Sequence, residues 1–144
     1  MRRIASLPET LPILFRDEHL VVIDKPPNLL VHRSEIDRHE TRFAIQILRD
    51  QIGQRVWPAH RLDRGTSGIL LFGLNVGMAS LLGRQFEQSL VDKRYWAVVR
   101  GHPPPAGSID HALSRQRDAY EFQGDQCSME AQDALTHYRK LAEI

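Results

Sequence analysis

Nine consecutive residues of this 144-residue chain concentrate side chains capable of chemistry: His60-Arg61-Leu62-Asp63-Arg64-Gly65-Thr66-Ser67-Gly68. Asp63 lies between Arg61 and Arg64, and nearby positive charge keeps a carboxylate ionised. An ionised, partly desolvated carboxylate is a competent nucleophile. Thr66, Ser67 and Gly68 supply turn-forming residues that can aim it. The same residues also describe an ordinary turn closed by an Asp–Arg salt bridge. On local chemistry alone the salt bridge is the commoner outcome, so both readings stand at this point.

Other polar residues bear on the same question. His60, Asp63 and the distant His32 could converge on a metal, since His-x-x-Asp ligands can share an ion. No third histidine stands at a ligand-like spacing, so no metal is expected. His60 is expected to orient the loop by hydrogen bonding, and His32 to pack beside it. Lys25, followed by Pro26 and Pro27, is either a strand terminator or a stiff turn presenting a cation to phosphate. Arg33, Arg38 and Arg42 are candidates for phosphate contacts, but Glu35, Asp37 and Glu40 are interspersed and also suit a solvated face. Tyr95, by its local pattern, is a strand aromatic.

These residues need rigid elements to hold them. Ile13–Phe15 and Leu20–Ile23 are apolar runs around the polar Arg16-Asp17-Glu18-His19, which predicts two strands and a turn. Lys25-Pro26-Pro27-Asn28 breaks the second strand, because proline removes backbone donors and Asn tolerates turn geometry. From Thr41, a candidate cap, the apolar residues Ala44, Ile47, Leu48 and Ile52 fall on one helical face before Gly53 stops it. Val56–Ala59 leads into the His60–Gly68 segment, and Ile69–Leu74 reads as a buried strand. Asn75 is a plausible cap for a second helix carrying Met78, Leu81, Leu82, Phe86 and Leu90. Lys93–Val99 alternates as a strand before the Pro103-Pro104-Pro105 break. Arg115–Asp133 reads as loops or an edge hairpin, and Leu135–Ile144 alternates again. The fold class expected is α+β, a mixed and largely antiparallel sheet with flanking helices.

Composition sets outer limits. Hydrophobic residues make up 42% and charged residues 26%, ordinary for a globular domain and too apolar for a disordered chain. No apolar run approaches the roughly 18 residues of a membrane span. The single cysteine, Cys127, excludes an internal disulfide and a four-cysteine zinc site. A cytoplasmic location is the expectation. Net charge is only +1, yet the basic residues comprise sixteen Arg against three Lys. Arginine grips phosphate with a planar fork and stacks on bases, although a GC-rich genome would produce the same bias.

Taken whole, the nine-residue run resembles the His-Arg-Leu-Asp-x-x-Thr-Ser-Gly motif of the RluA-type pseudouridine synthases. Asp24-Lys25-Pro26-Pro27-Asn28-Leu29-Leu30-Val31-His32 is similar to that family's Asp-Lys-Pro-x-Gly-x-x-Val-His segment. Lys93-Arg94-Tyr95-Trp96-Ala97-Val98-Val99-Arg100-Gly101 resembles its Lys-x-Tyr-x-Ala-x-Val-x-Gly strand, and Ala134–Arg139 resembles a later one. The resemblance implies isomerisation of uridine to pseudouridine in structured RNA without a cofactor. Asp63 would act on the target uridine, at the sugar or at the base. Arg61 would fill the space left by the extruded base, and Tyr95 would stack on the flipped uracil and help remove the C5 proton. His60, Arg64, Thr66, Lys25 and His32 would line the substrate site. His32-Arg33-Ser34 through Ile36-Asp37-Arg38 most resembles a tRNA-modifying branch, with ribosomal RNA as the alternative substrate. The family resemblance further implies a monomer with no obligate protein partner.

Two departures qualify the match. Asn28 replaces the family's usual glycine; Asn can adopt positive φ at some cost, so the turn is expected to survive. The family's later Gly-Arg-x-His-Gln-Ile-Arg segment, whose basic residue pairs with the catalytic aspartate, has no counterpart after Tyr138. Residues 1–144 are therefore expected to be the N-terminal portion of a catalytic domain, with unpaired sheet edges. A catalytically incomplete RNA-binding fragment is the competing expectation.

Overall fold

The computed structural model describes residues 9–32, 41–113 and 131–143. The chain divides into two compact units, Met1–Lys93 and Arg94–Ile144. The first is built on a four-stranded antiparallel sheet of β1 (Ile13–Arg16), β2 (Leu20–Lys25), β3 (Trp57–Pro58) and β4 (Gly68–Gly73), in the order β1-β2-β4-β3. Two helices, α1 (Ala44–Ile52) and α2 (Val76–Glu87), complete it. In the second unit β5 (Ala106–Asp110) pairs antiparallel with β6 (Leu135–Arg139). The α+β class is as expected.

Strand alternation places the core of the first unit. Val21 lies opposite Phe72 and Ile23 opposite Leu70, so all four share one face of the sheet. They bury completely in a cluster with Ala44, Ile47 and Leu48 of α1, together with Leu11, Leu29 and Val56. Each such side chain contributes about 1.5–3 kcal/mol when fully buried. The other face is only partly covered: Ile69 of β4 is 61% exposed, and no residue of α2 is fully buried. Helix α2 nevertheless packs tightly against the end of β4. A Cβ on Gly73 would stand 2.5 Å from the Ala79 backbone nitrogen, so only glycine fits.

The β1–β2 turn is closed by Asp17, whose Oδ1 accepts from the amides of His19 and Leu20, each at 2.8 Å. Those two donors hold its carboxyl below the usual carboxylate range. Pro58 sits in β3 at the edge of the sheet, where a missing N–H is tolerated.

Both helices occur where the apolar periodicity placed them, but their starts differ. Asn75 caps α2 as expected, accepting the Met78 amide at 2.8 Å. Thr41 does not cap α1. Its N-cap is Phe43, with no side-chain hydrogen bond. The amides of Ala44 and Ile45 instead donate to the carbonyls of Leu30 and Val31, at 2.8 and 3.1 Å. A neighbouring backbone segment thus satisfies the donors that a capping side chain otherwise takes.

The expected strand over Lys93–Val99 is a further correction. This segment forms no ladder among the described residues, and Trp96 and Val98 are 90% and 98% exposed. Alternating apolar residues make a strand only where another edge accepts their backbone groups. Leu90, assigned to the face of the second helix, lies beyond the end of α2. Strand β5 was not anticipated, because Ala-Gly-Ser-Ile-Asp lacks an apolar alternation. The segment expected as loops or a hairpin, Arg115–Asp133, falls largely outside the described residues.

Candidate active site

The His60–Ser67 segment connects β3 to β4 and is fixed at several points. The Thr66 amide donates to the Asp63 carbonyl at 3.1 Å, closing a four-residue turn. No ion pair involving Asp63 forms among the described residues, so a backbone bond rather than a salt bridge closes this turn. Leu62 packs against the core cluster while Asp63, the next residue, is exposed. Gly68 leaves the turn with φ 121°, a conformation that side chains rarely adopt, and enters β4 opposite Lys25.

A second turn, Pro26–Leu29, docks onto this one. Asn28 adopts φ 66°, as the substitution for glycine required, and its amide donates to the Arg64 carbonyl at 2.8 Å. Lys25 is completely buried beneath the same contact. Its Nζ donates to the carbonyls of Leu29 at 2.8 Å, Pro26 at 3.0 Å and Arg64 at 3.4 Å. Three carbonyls match the three N–H groups of an ammonium. Burial lowers the Lys25 pKa, and the negative charge of Asp63 opposes that shift. Lys25 was expected to contact substrate as well as to shape the turn. In the structure its ammonium is engaged by three backbone carbonyls, which makes it a structural tie between the two turns.

His60 is half-buried, with Nε2 accepting the Leu71 amide at 3.2 Å. Its ring stacks on Phe86 of α2 with centroids 4.3 Å apart and planes 21° apart. Burial pushes this imidazole below its usual range, with the positive charge of Lys93 acting the same way and a backbone hydrogen bond with Arg61 opposing. His32, also half-buried, is lowered first by burial and then by the charge of Arg61. Its Nδ1 is buried without a hydrogen-bond partner among the described residues. Neutral rings suit both sites, because each lies near a cation.

Arg61 and Arg64 are exposed and Thr66 is half-buried, so the first unit brings these together with Asp63, His60 and Lys25. Tyr95 belongs to the second unit and is 61% exposed within the irregular stretch after α2. Arg33 and Arg38 lie outside the described residues. Arg42 lines a separate hollow of about 530 Å³ with Glu9, Gln46, Arg49 and Asp50, none of them from the Asp63 loop. Among the described residues, no three His, Cys, Asp or Glu side chains are grouped to hold a metal. Phe86 was missed as a partner of His60. Its only sequence signal was membership of an apolar helix face.

A motif-bearing turn held between two strands of an antiparallel sheet has known counterparts. Residues 19–144 match the family model described as RNA pseudouridylate synthase, and the chain belongs to that family. It is 50% identical over 135 residues to tRNA pseudouridine synthase C of Pasteurella multocida (strain Pm70), covering 94% of this chain and 56% of that protein. The protein of the same name from Haemophilus ducreyi (strain 35000HP / ATCC 700724) is 51% identical over 134 residues, covering 93% and 55%. Among solved structures, Human RNA Pseudouridylate Synthase Domain Containing 4 aligns with TM-score 0.68 at 28% identity, covering 92% of this chain and 54% of that one. The chain spans about half the length of the curated relatives it matches. No described helix is long and apolar enough to cross a membrane.

Proposed function

We propose that this chain carries the aspartate-bearing part of an RNA pseudouridine synthase whose substrate is a uridine in tRNA. The observation that carries the reading is the presentation of Asp63. Its carboxylate is exposed on a turn whose neighbour Leu62 is packed against the core and whose Arg64 carbonyl is held by Lys25 and Asn28. Family membership and the names of the relatives support the reaction class.

In the reaction the C1′–N1 glycosidic bond breaks, uracil turns, and C1′ bonds to C5. The proton lost from C5 is matched by one gained at N1, so no atoms enter or leave overall. Asp63 attacks, at the sugar or at the base. Arg61 occupies the space of the extruded base, where its planar guanidinium can stack. Tyr95 stacks on the uracil and assists proton removal from C5. A neutral phenol is a poor base at neutral pH, so this last role requires local tuning when RNA is bound. Arg64, Thr66 and His32 complete the contacts to the nucleotide. Phosphate contacts by the arginines make binding fall as salt rises. The proposed setting is the cytoplasm, with the enzyme a monomer.

A second reading, an RNA-binding part without a completed site, is favoured by the exposure of Tyr95 and the absence of a ladder over Lys93–Val99 among the described residues. Tritium release from tRNA carrying C5-labelled uridine separates the two. Release by the chain that is lost in Asp63→Asn supports the enzyme. Salt-sensitive binding without release supports the second reading, and undiminished release by Asp63→Asn overturns the role of Asp63.

A further inference from the structure

Building on the reading of the Asp63 turn as the reacting centre, we propose that His60 is a positioning residue: a neutral imidazole, protonated on Nδ1, that clamps the start of the turn to β4 and α2. The ladder between β3 and β4 ends at this point. The Ala59 amide still donates to the Leu71 carbonyl at 2.9 Å, as the next bond of the ladder. The Leu71 amide, however, has no backbone carbonyl to meet, because the chain turns away toward Arg61 and Asp63. The His60 ring takes that place, with Nε2 3.2 Å from the Leu71 nitrogen.

An amide can only donate, so Nε2 must offer a lone pair, and the ring proton must reside on Nδ1. The ring therefore ties Leu71 of β4 to the entry of the turn at His60. Phe86, stacked at 4.3 Å, fixes the plane of the imidazole from α2. Burial and the nearby charge of Lys93 both favour the uncharged ring on which this arrangement depends. His60 precedes Asp63 by three residues, so the clamp controls the entry to the turn while Lys25 and Asn28 hold its far side through the Arg64 carbonyl. A role for Nε2 in direct substrate contact would instead leave that nitrogen available to RNA, and here it is engaged by the Leu71 amide.

Histidine-labelled protein tests the tautomer by ¹⁵N NMR: the expected spectrum has a lone pair on Nε2 and the proton on Nδ1. His60→Phe keeps a ring against Phe86 but removes the acceptor, whereas His60→Gln offers a carbonyl near the Nε2 position. Hydrogen exchange at the Leu71 amide should accelerate in the Phe variant and return toward the parent rate in the Gln variant. With tRNA substrate, kcat should fall by up to about 10²-fold in the Phe variant, as a misplaced reacting group does, with KM within about twofold. The Gln variant should recover most of the loss. An Nε2–H tautomer, unchanged Leu71 exchange in the Phe variant, or a raised KM at constant kcat would overturn the proposal. The tautomer and the exchange rate are read without RNA. Absence of pseudouridine formation by the parent chain therefore counts against the functional reading alone, and the clamp is still decided.

Discussion

Two stretches carry the residues assigned to chemistry, and they are built differently. The Asp63 turn is tied to β4 through His60, to the Pro26–Leu29 turn through Lys25 and Asn28, and to the core through Leu62. The stretch around Tyr95 has the apolar alternation of a strand, yet it forms no ladder among the described residues and leaves Trp96 almost entirely exposed. Both match family motifs. Hydrophobic pattern therefore does not separate a positioned segment from an exposed one. Partners for the backbone groups do, because a buried donor or acceptor must be satisfied.

The comparison can be broken most forcefully at Lys25. Lys25→Met preserves most of the volume but strips a donor from three carbonyls, one of which, that of Arg64, joins the two turns. Leaving buried acceptors unmet costs about 1–3 kcal/mol each, so a loss of at least about 2 kcal/mol is expected in urea unfolding. Proteolysis should then begin within residues 61–67, making the Asp63 turn behave like the Tyr95 stretch. Gly73→Ala comes next. Its Cβ would collide with backbone of α2 at 2.5 Å, and overpacking of this kind costs about 1–3 kcal/mol. The shifted helix should also loosen Phe86 from His60, visible as broadening of the His60 ring resonances.

The smallest effect is expected from pH. His32 and His60 both have folded pKa values below the ordinary 6.5. The unfolded chain therefore binds protons more readily near and below that pH, and the stability from these two rings is present above 6.5 and lost as pH falls through their folded values. The lowered carboxylates of Asp17 and Asp50 titrate below this window. The urea midpoint of the first unit should drop modestly between pH 7.5 and 5, and His60→Gln should reduce that drop. A midpoint rising toward pH 5 would contradict the assignment of buried neutral rings.

The sequence disclosed whatever depends on near neighbours. The Asn75 cap, the apolar face of α1, the break after Lys25 and the turn at Asn28 all follow from local chemistry, and all are present. Features settled by distant backbone were not legible. Thr41 has capping chemistry, but the carbonyls of Leu30 and Val31 had already taken the first amides of α1. The cationic head of Lys25 advertises phosphate, and only the folded chain reveals the carbonyls around it. The pairing of His60 with Phe86 spans a loop and a helix, with no periodicity to announce it. Strand β5 exists because β6 offers it an edge, not because Ala106–Asp110 alternates. The Asp63 motif was evident at once, whereas the reason it holds its shape was not.

Amide hydrogen exchange across the 144-residue chain tests the contrast between the two stretches most directly. The amides of Asn28, Thr66 and Leu71 each have an acceptor, at 2.8, 3.1 and 3.2 Å, and should be slowed well below unprotected rates. Those of Trp96, Ala97, Val98 and Val99 should exchange close to the unprotected rate. Fast exchange at Asn28, Thr66 and Leu71, or strong protection across Trp96–Val99, would contradict an account in which the Asp63 turn is held in place and the Tyr95 stretch is not.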